Sequence, residues 1–162
     1  MHSKKIFYKF NYDKVLMKNP TIDYSLRTSW HSVKKMYDEG AKNYNITMAV
    51  GFTLLSIDPK NGTSATSLGP KMGMEANSLS RILNTMQDKK LISRKPNPND
   101  GRGVLVFLTK NGKEKRDITR EKVLKFNSML KKKIGAKKIN LFHKVSQEIK
   151  NISCELKNNI DS

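Results

Sequence analysis

The chain has 162 residues, enough for one domain with its own core, with 36% apolar residues and a mean hydropathy of −0.64. Lysine and arginine number 32 against 14 acids, a net charge of +18, and a field of that sign attracts polyanions, nucleic acid ahead of an anionic membrane surface. The longest apolar stretch, Ile46–Ile57, is too short to span a bilayer, and the first ten residues hold no apolar run ahead of a small-residue cleavage site, so neither a membrane segment nor a signal peptide is expected.

In chain order, residues 1–21 mix lysine with Phe7, Tyr8, Phe10 and Tyr12 and close on Asn19-Pro20, which reads as an arm with little regular structure. A helix is expected from about Ile22 to Asn43. Leu26, Trp30, Val33, Tyr37 and Ala41 recur there at steps of three and four and mark one apolar face. Gly40 costs that helix about 1 kcal/mol against alanine. A second, buried helix is expected after Thr47, a good capping residue. It should end at the turn-forming run Asp58–Gly62.

Two shorter helices follow, at about Ser67–Met72 and Ala76–Lys89, with Gly73-Met74 between them. In the second, Leu79, Ile82, Leu83 and Met86 share a face, while Asn77, Ser78, Ser80, Arg81 and Asn84 share the other. A short helix, a tight glycine turn and a longer helix with a hydrogen-bonding outer face make the helix-turn-helix pattern. Leu91–Arg94 and Val104–Leu108 then read as two strands. The proline, asparagine and glycine cluster between them predicts a hairpin with a long tip, a wing beside the second helix.

Gly112 opens a long helix whose apolar stripe is Ile118, Val123, Phe126, Leu130 and Ile134, and Gly135 breaks it. In the last helix Phe142, Val145, Ile149, Ile152 and Leu156 fall at steps of three, four, three and four. The expected fold class is therefore mainly α with a small β-hairpin wing (α+β). A winged helix-turn-helix unit at about 47–110 would be flanked by helices at about 22–43 and 112–158, within a domain over 22–162. The apolar stripes of the flanking helices exceed what a small winged unit can cover, and a symmetric dimer would cover them.

The segments Ser67–Arg94, Asp100–Gly103 and Leu108–Gly112 occur in this order and at this spacing along a layout that resembles the MarR family of bacterial transcription regulators, over about residues 22–156. The resemblance implies a homodimer on double-stranded DNA, with two reading helices in successive major grooves of an inverted-repeat operator. It implies that Asn77, Ser78, Ser80, Arg81, Asn84, Arg94 and Arg102 are the DNA-binding residues. Amide, hydroxyl and guanidinium groups are the types that read base edges. Arg102 would enter the minor groove, where negative potential attracts a guanidinium, and Asp100 would support the wing by orienting a nearby arginine. The family's small-molecule pocket, where the first helix meets the winged unit, would fall at Trp30, His31, Lys34 and Phe52 and suit an anionic, lipophilic ligand. Two features depart from the family pattern. Glu75 stands where Ser, Thr or Asp usually caps the reading helix. Pro70 falls where the short helix normally continues, which with Ser67 as N-cap would place it in the first turn.

The expected function is a cytoplasmic, homodimeric repressor released by a small ligand. The alternatives are a ligand-independent architectural DNA-binding protein and a thiol-based redox sensor. Cys154 cannot form an internal disulfide, which fits a reducing interior. Redox-sensing members of the family use a cysteine near the N-terminal helix, and Cys154 lies in the last one. No Ser-His-Asp set or carboxylate pair is visible, and Leu68–Met74 lacks the Lys-Ser/Thr of a phosphate loop. His31, His143 and Cys154 have no metal-ligand spacing. An enzyme, a metal site and a cofactor are not expected.

Overall fold

A computed structural model describes residues 20–98 and 100–160; the expected arm lies almost entirely outside the described residues. The elements in chain order are α1 (Ile22–Lys42), α2 (Met48–Ser56), β1 (Thr63–Ser64), α3 (Ala65–Met72), α4 (Ala76–Asp88), β2 (Ile92–Asn97), β3 (Asp100–Leu108), α5 (Lys110–Ile134) and α6 (Ala136–Ile160). The chain divides into two compact units, Met1–Ala49 and Val50–Ser162, with the boundary inside α2.

In the first unit, α1 begins at Thr21, whose hydroxyl accepts from the Tyr24 amide at 3.4 Å. Asp23 in its first turn and Lys42 in its last both interact favourably with the helix dipole. None of its residues is buried, and Ile22, Leu26, Trp30 and Met36 are 64, 41, 52 and 39% exposed. The Asp38 carboxylate accepts from the Met48 amide at 2.9 Å and from the Lys34 ammonium at 2.6 Å. The first amide of α2 is thus satisfied by a side chain ten residues upstream.

The second unit holds the core of the fold. Leu54, Ile57, Leu68, Met86, Leu91 and Val106 are almost wholly buried, drawn from α2, α3, α4, the sheet and the residues that directly follow α2 and precede β2. The sheet has three antiparallel strands in the order β1-β3-β2. Thr63 pairs with Val106 and Ser64 with Leu105. The sequence reading anticipated two strands. The third is only two residues long, too short to show a period-2 pattern, and it follows directly on a turn. That turn is closed by Asp58, whose carboxylate accepts from the amides of Lys60 and Asn61 at 2.8 Å each, while its own amide donates to the Thr63 hydroxyl at 2.8 Å.

Three other expectations are corrected. The short helix starts at Ala65 after Ser64, so Pro70 lies in its second half, and Ser67 donates its hydroxyl to the Ser64 carbonyl instead of capping. A proline there is tolerated because the helix ends at once, at Gly73 in the left-handed region with φ 62°. The wing strands run further than expected and leave two residues, 98 and 99, between them. Finally, α5 starts at Lys110, ahead of Gly112. Its N-cap Thr109 accepts from the Gly112 amide at 3.0 Å and donates to the Lys90 carbonyl at 2.7 Å. Gly135, with φ 92°, separates α5 from α6 as expected.

Three carboxylates are held below the ordinary aspartate range: Asp23 chiefly by the Thr21 hydroxyl, Asp38 chiefly by Lys34, and Asp58 chiefly by the Asn61 amide. A carboxylate with a depressed folded pKa contributes stability that is present above the unfolded value, about 3.9, and is lost as pH falls through the folded value. Urea unfolding midpoints should therefore hold near neutrality and drop below about pH 4. Asp58→Ala should lower the midpoint at pH 7 and leave a smaller further drop at pH 3. An unchanged pH profile would show that the Asp58 turn carries no such linkage.

Candidate nucleic-acid interface

The candidate reading face is built on α4. Leu79, Leu83 and Met86 turn into the core with 5, 4 and 0% exposure, and Ile82 is half-buried. Steps of four and three put these side chains on one side of the helix. Asn77, Ser78, Ser80, Arg81 and Asn84 are all exposed on the remaining surface. The turn that sets the angle of α4 is three residues long, Gly73–Glu75. The amides of Gly73 and Met74 fold back on Pro70 and Gly69 at 3.3 and 3.0 Å. Glu75 is the N-cap and makes no side-chain capping bond. The first amides of α4 are thereby not covered by that side chain, and a helix N-terminus of this kind accepts an anion.

The wing follows α4 through Lys90, in the left-handed region with φ 54°. Arg94 pairs with Val106 across the sheet, and Lys95 with Leu105. The Arg94 guanidinium donates to the Asn84 carboxamide oxygen at 2.7 Å, tying β2 to the exposed face of α4. The Lys95 ammonium stands 5.4 Å above the ring of Phe107, a cation–π contact on the wing. Between Pro96 and Asn97 the register shifts, so that one step along β2 spans four along β3, from Val104 to Asp100. Arg102 lies inside that irregular stretch of β3; the side chains of Asp100 and Arg102 lie outside the described residues.

Of the residues expected in the interface, Asn77, Ser78, Ser80, Arg81 and Asn84 thus share the exposed surface of one helix, and Arg94 is brought onto it from the wing. Sequence reading missed the Asn84–Arg94 bond and the seat of Lys95 on Phe107. Both join residues ten or more apart, and no local spacing signals them. Of the residues expected in a pocket, Trp30 and His31 are exposed on α1, Lys34 is paired with Asp38, and Phe52 is half-buried on α2. Cys154 is exposed on α6. Among the described residues no cluster of His, Cys, Asp or Glu could hold a metal ion, and no helix is long and apolar enough to cross a membrane.

A helix-turn-helix followed by a strand pair that ends beside the reading helix defines a winged helix-turn-helix protein. Solved structures share the fold. A cysteine-to-serine mutant of MarR from E. coli complexed with operator DNA superposes with a TM-score of 0.73 at 23% identity, covering 85% of this chain and 98% of that one. The S. aureus MepR–DNA complex gives 0.72 at 19% identity, with 82 and 96% covered. Streptococcus pneumoniae FabT in complex with DNA gives 0.68 at 15% identity, with 83 and 96% covered. No curated protein matches the sequence. Residues 46–104 of this chain match the model of the MarR family.

Proposed function

We propose that this protein is a sequence-specific, homodimeric repressor that binds an inverted-repeat operator and is released by a small anionic, lipophilic ligand. The observation that carries the DNA reading is the division of α4. Three side chains at steps of four and three anchor it in the core, and the exposed remainder carries two asparagines, two serines and an arginine beside a cationic wing strand. Such groups discriminate base edges in a major groove, and a net charge of +18 supplies the sequence-independent attraction to phosphate. The three DNA complexes named above support the same reading by fold alone. The site would lie in the cytoplasm, where the operator is.

The dimer is supported by apolar surface that neither unit covers by itself. Phe142, Val145, Ile152 and Leu156 on α6 are 42 to 58% exposed, and Leu26 and Trp30 on α1 are 41 and 52% exposed. Stripes of this size on soluble proteins mark interaction surfaces. The ligand reading rests on the resemblance and on the aromatic and basic residues Trp30, His31, Lys34 and Phe52.

Selection from random duplex DNA, followed by competition with scrambled duplex, tests the reading. The expected result is a selected palindrome bound at least 1,000-fold more tightly than scrambled DNA, as specific binders are. Sedimentation at micromolar concentration should give twice 18.5 kDa, and Ile152→Lys should shift the protein toward monomer. Binding without sequence preference would favour an architectural role instead. A monomer that still selects a palindrome would refute the dimer.

A further inference from the structure

Resting on the reading of α4 as the base-reading helix, we propose that Arg94 is a positioning residue: it fixes the Asn84 carboxamide so that the amide nitrogen, a donor, is presented to the DNA. Arg94 and Asn84 are both exposed, and their bond of 2.7 Å links the wing strand to the polar face of α4. A guanidinium carries five donors and no acceptor. The carboxamide atom that meets it must therefore be the oxygen, whatever the nearly identical shapes of the two ends. The amide nitrogen then points away from Arg94.

A free asparagine on a helix surface turns over readily and offers either end to a base. Holding one lone pair of its oxygen removes that freedom. The nitrogen is left for an acceptor at the major-groove edge: N7 or O6 of guanine, N7 of adenine, or O4 of thymine. A cytosine edge, which offers an amino donor, is refused. Arg94 thereby acts on specificity through another side chain. A phosphate-gripping arginine would act on affinity for every sequence alike.

The two roles separate by experiment. The proteins are the full chain, Asn84→Ala, Arg94→Met and the double variant. The probes are the wild-type selected duplex and duplexes with each base pair replaced in turn, measured from low to high salt. The expected result is that Asn84→Ala and Arg94→Met both lose discrimination, about 5- to 100-fold, at the same base pair of each half-site. The double variant should lose no more than Asn84→Ala alone, because an orienting group has nothing left to orient. The slope of log affinity against log salt should stay at the wild-type value. Melting temperatures near wild type should accompany these losses, since both side chains are exposed.

Uniform weakening of all duplexes by Arg94→Met, with a slope reduced by about 0.9 per contact, overturns the proposal and makes Arg94 a phosphate contact. Loss of discrimination at two different base pairs overturns it as well, since the residues would then read independently. If the wild-type chain selects no sequence at all, the base-reading assignment itself fails and this proposal with it. That outcome is distinguishable from the others before any variant is measured.

Discussion

Gly112→Ala should destabilise the protein by about 3 kcal/mol, a drop of roughly 6–12 °C in melting temperature for a chain of this size. A Cβ at position 112 would land on the carbonyl oxygen of Leu91 and lie 3.0 Å from its carbonyl carbon. The obstacle is backbone and cannot rotate aside. It is also held: the Leu91 carbonyl accepts from the Thr109 amide at 3.0 Å. Leu91 itself is 2% exposed, so its backbone cannot retreat without disturbing the core. Relief requires moving the first turn of α5 off the sheet, which breaks the Thr109 cap as well. Gly40→Ala is the matched control. Nothing lies within 4 Å of a Cβ there, and the residue is exposed within α1. That substitution should stabilise by about 0.5–1 kcal/mol through helix propensity. Thermal unfolding of the pair checks both signs. A Gly112→Ala protein that melts with the wild type would show that the α5 start has room to move.

Arg102→Ala should reduce operator affinity by about 1–3 kcal/mol while leaving the melting temperature unchanged. Arg102 lies where β3 advances four residues against one on β2, at the far end of the wing from the core. Its loss should be felt in DNA binding and not in the fold. If each wing places one guanidinium against the phosphate backbone or the minor groove, two contacts are lost per dimer. Counterion release then lowers the salt slope by up to about 0.9 per contact, roughly 1.8 in all. Arg81→Ala provides the contrast. Arg81 sits on the exposed face of α4, and loss of a base-reading arginine should relax discrimination between operator variants more than it changes the slope. Operator titrations over a range of salt, for wild type and both variants, decide the matter. Unchanged affinity and slope in Arg102→Ala would mean that the wing does not reach DNA, leaving α4 and the lysines of the long helices to supply the phosphate contacts.

Much of this architecture was legible in the residues because the signals act over a few positions. Leu79, Leu83 and Met86 face the core for the reason their spacing implies: 3.6 residues per turn brings every third or fourth side chain to one side. The same arithmetic exposes Asn77, Ser78, Ser80, Arg81 and Asn84 together. Gly73 and Gly135 end helices at positive φ because only a residue without a Cβ enters that region freely. The charge of +18 is a property of composition and required no fold to read. These local rules carried the helix order, the helix-turn-helix, the wing and the strongly cationic character.

Other features came only with the tertiary structure, because they are distances between elements. The two-residue strand β1 exists only because β3 offers it a partner at Val106 and Leu105. The start of α3 at Ala65 follows from that strand delivering the chain to Ser64, and it overrides the weaker suggestion that Ser67 caps and Pro70 begins the helix. Asp38 satisfies the Met48 amide across ten residues that no capping motif spans. The need for glycine at position 112 is set by the Leu91 carbonyl, 21 residues earlier in the chain. Arg94 and Asn84, each read separately as a DNA contact, meet because the chain turns back after α4 and lays β2 beside it. Periodicity determines which side of an element is apolar. Only packing determines which atoms on two elements come within a hydrogen bond of each other, because an ångström of separation decides that bond and no residue pattern encodes it.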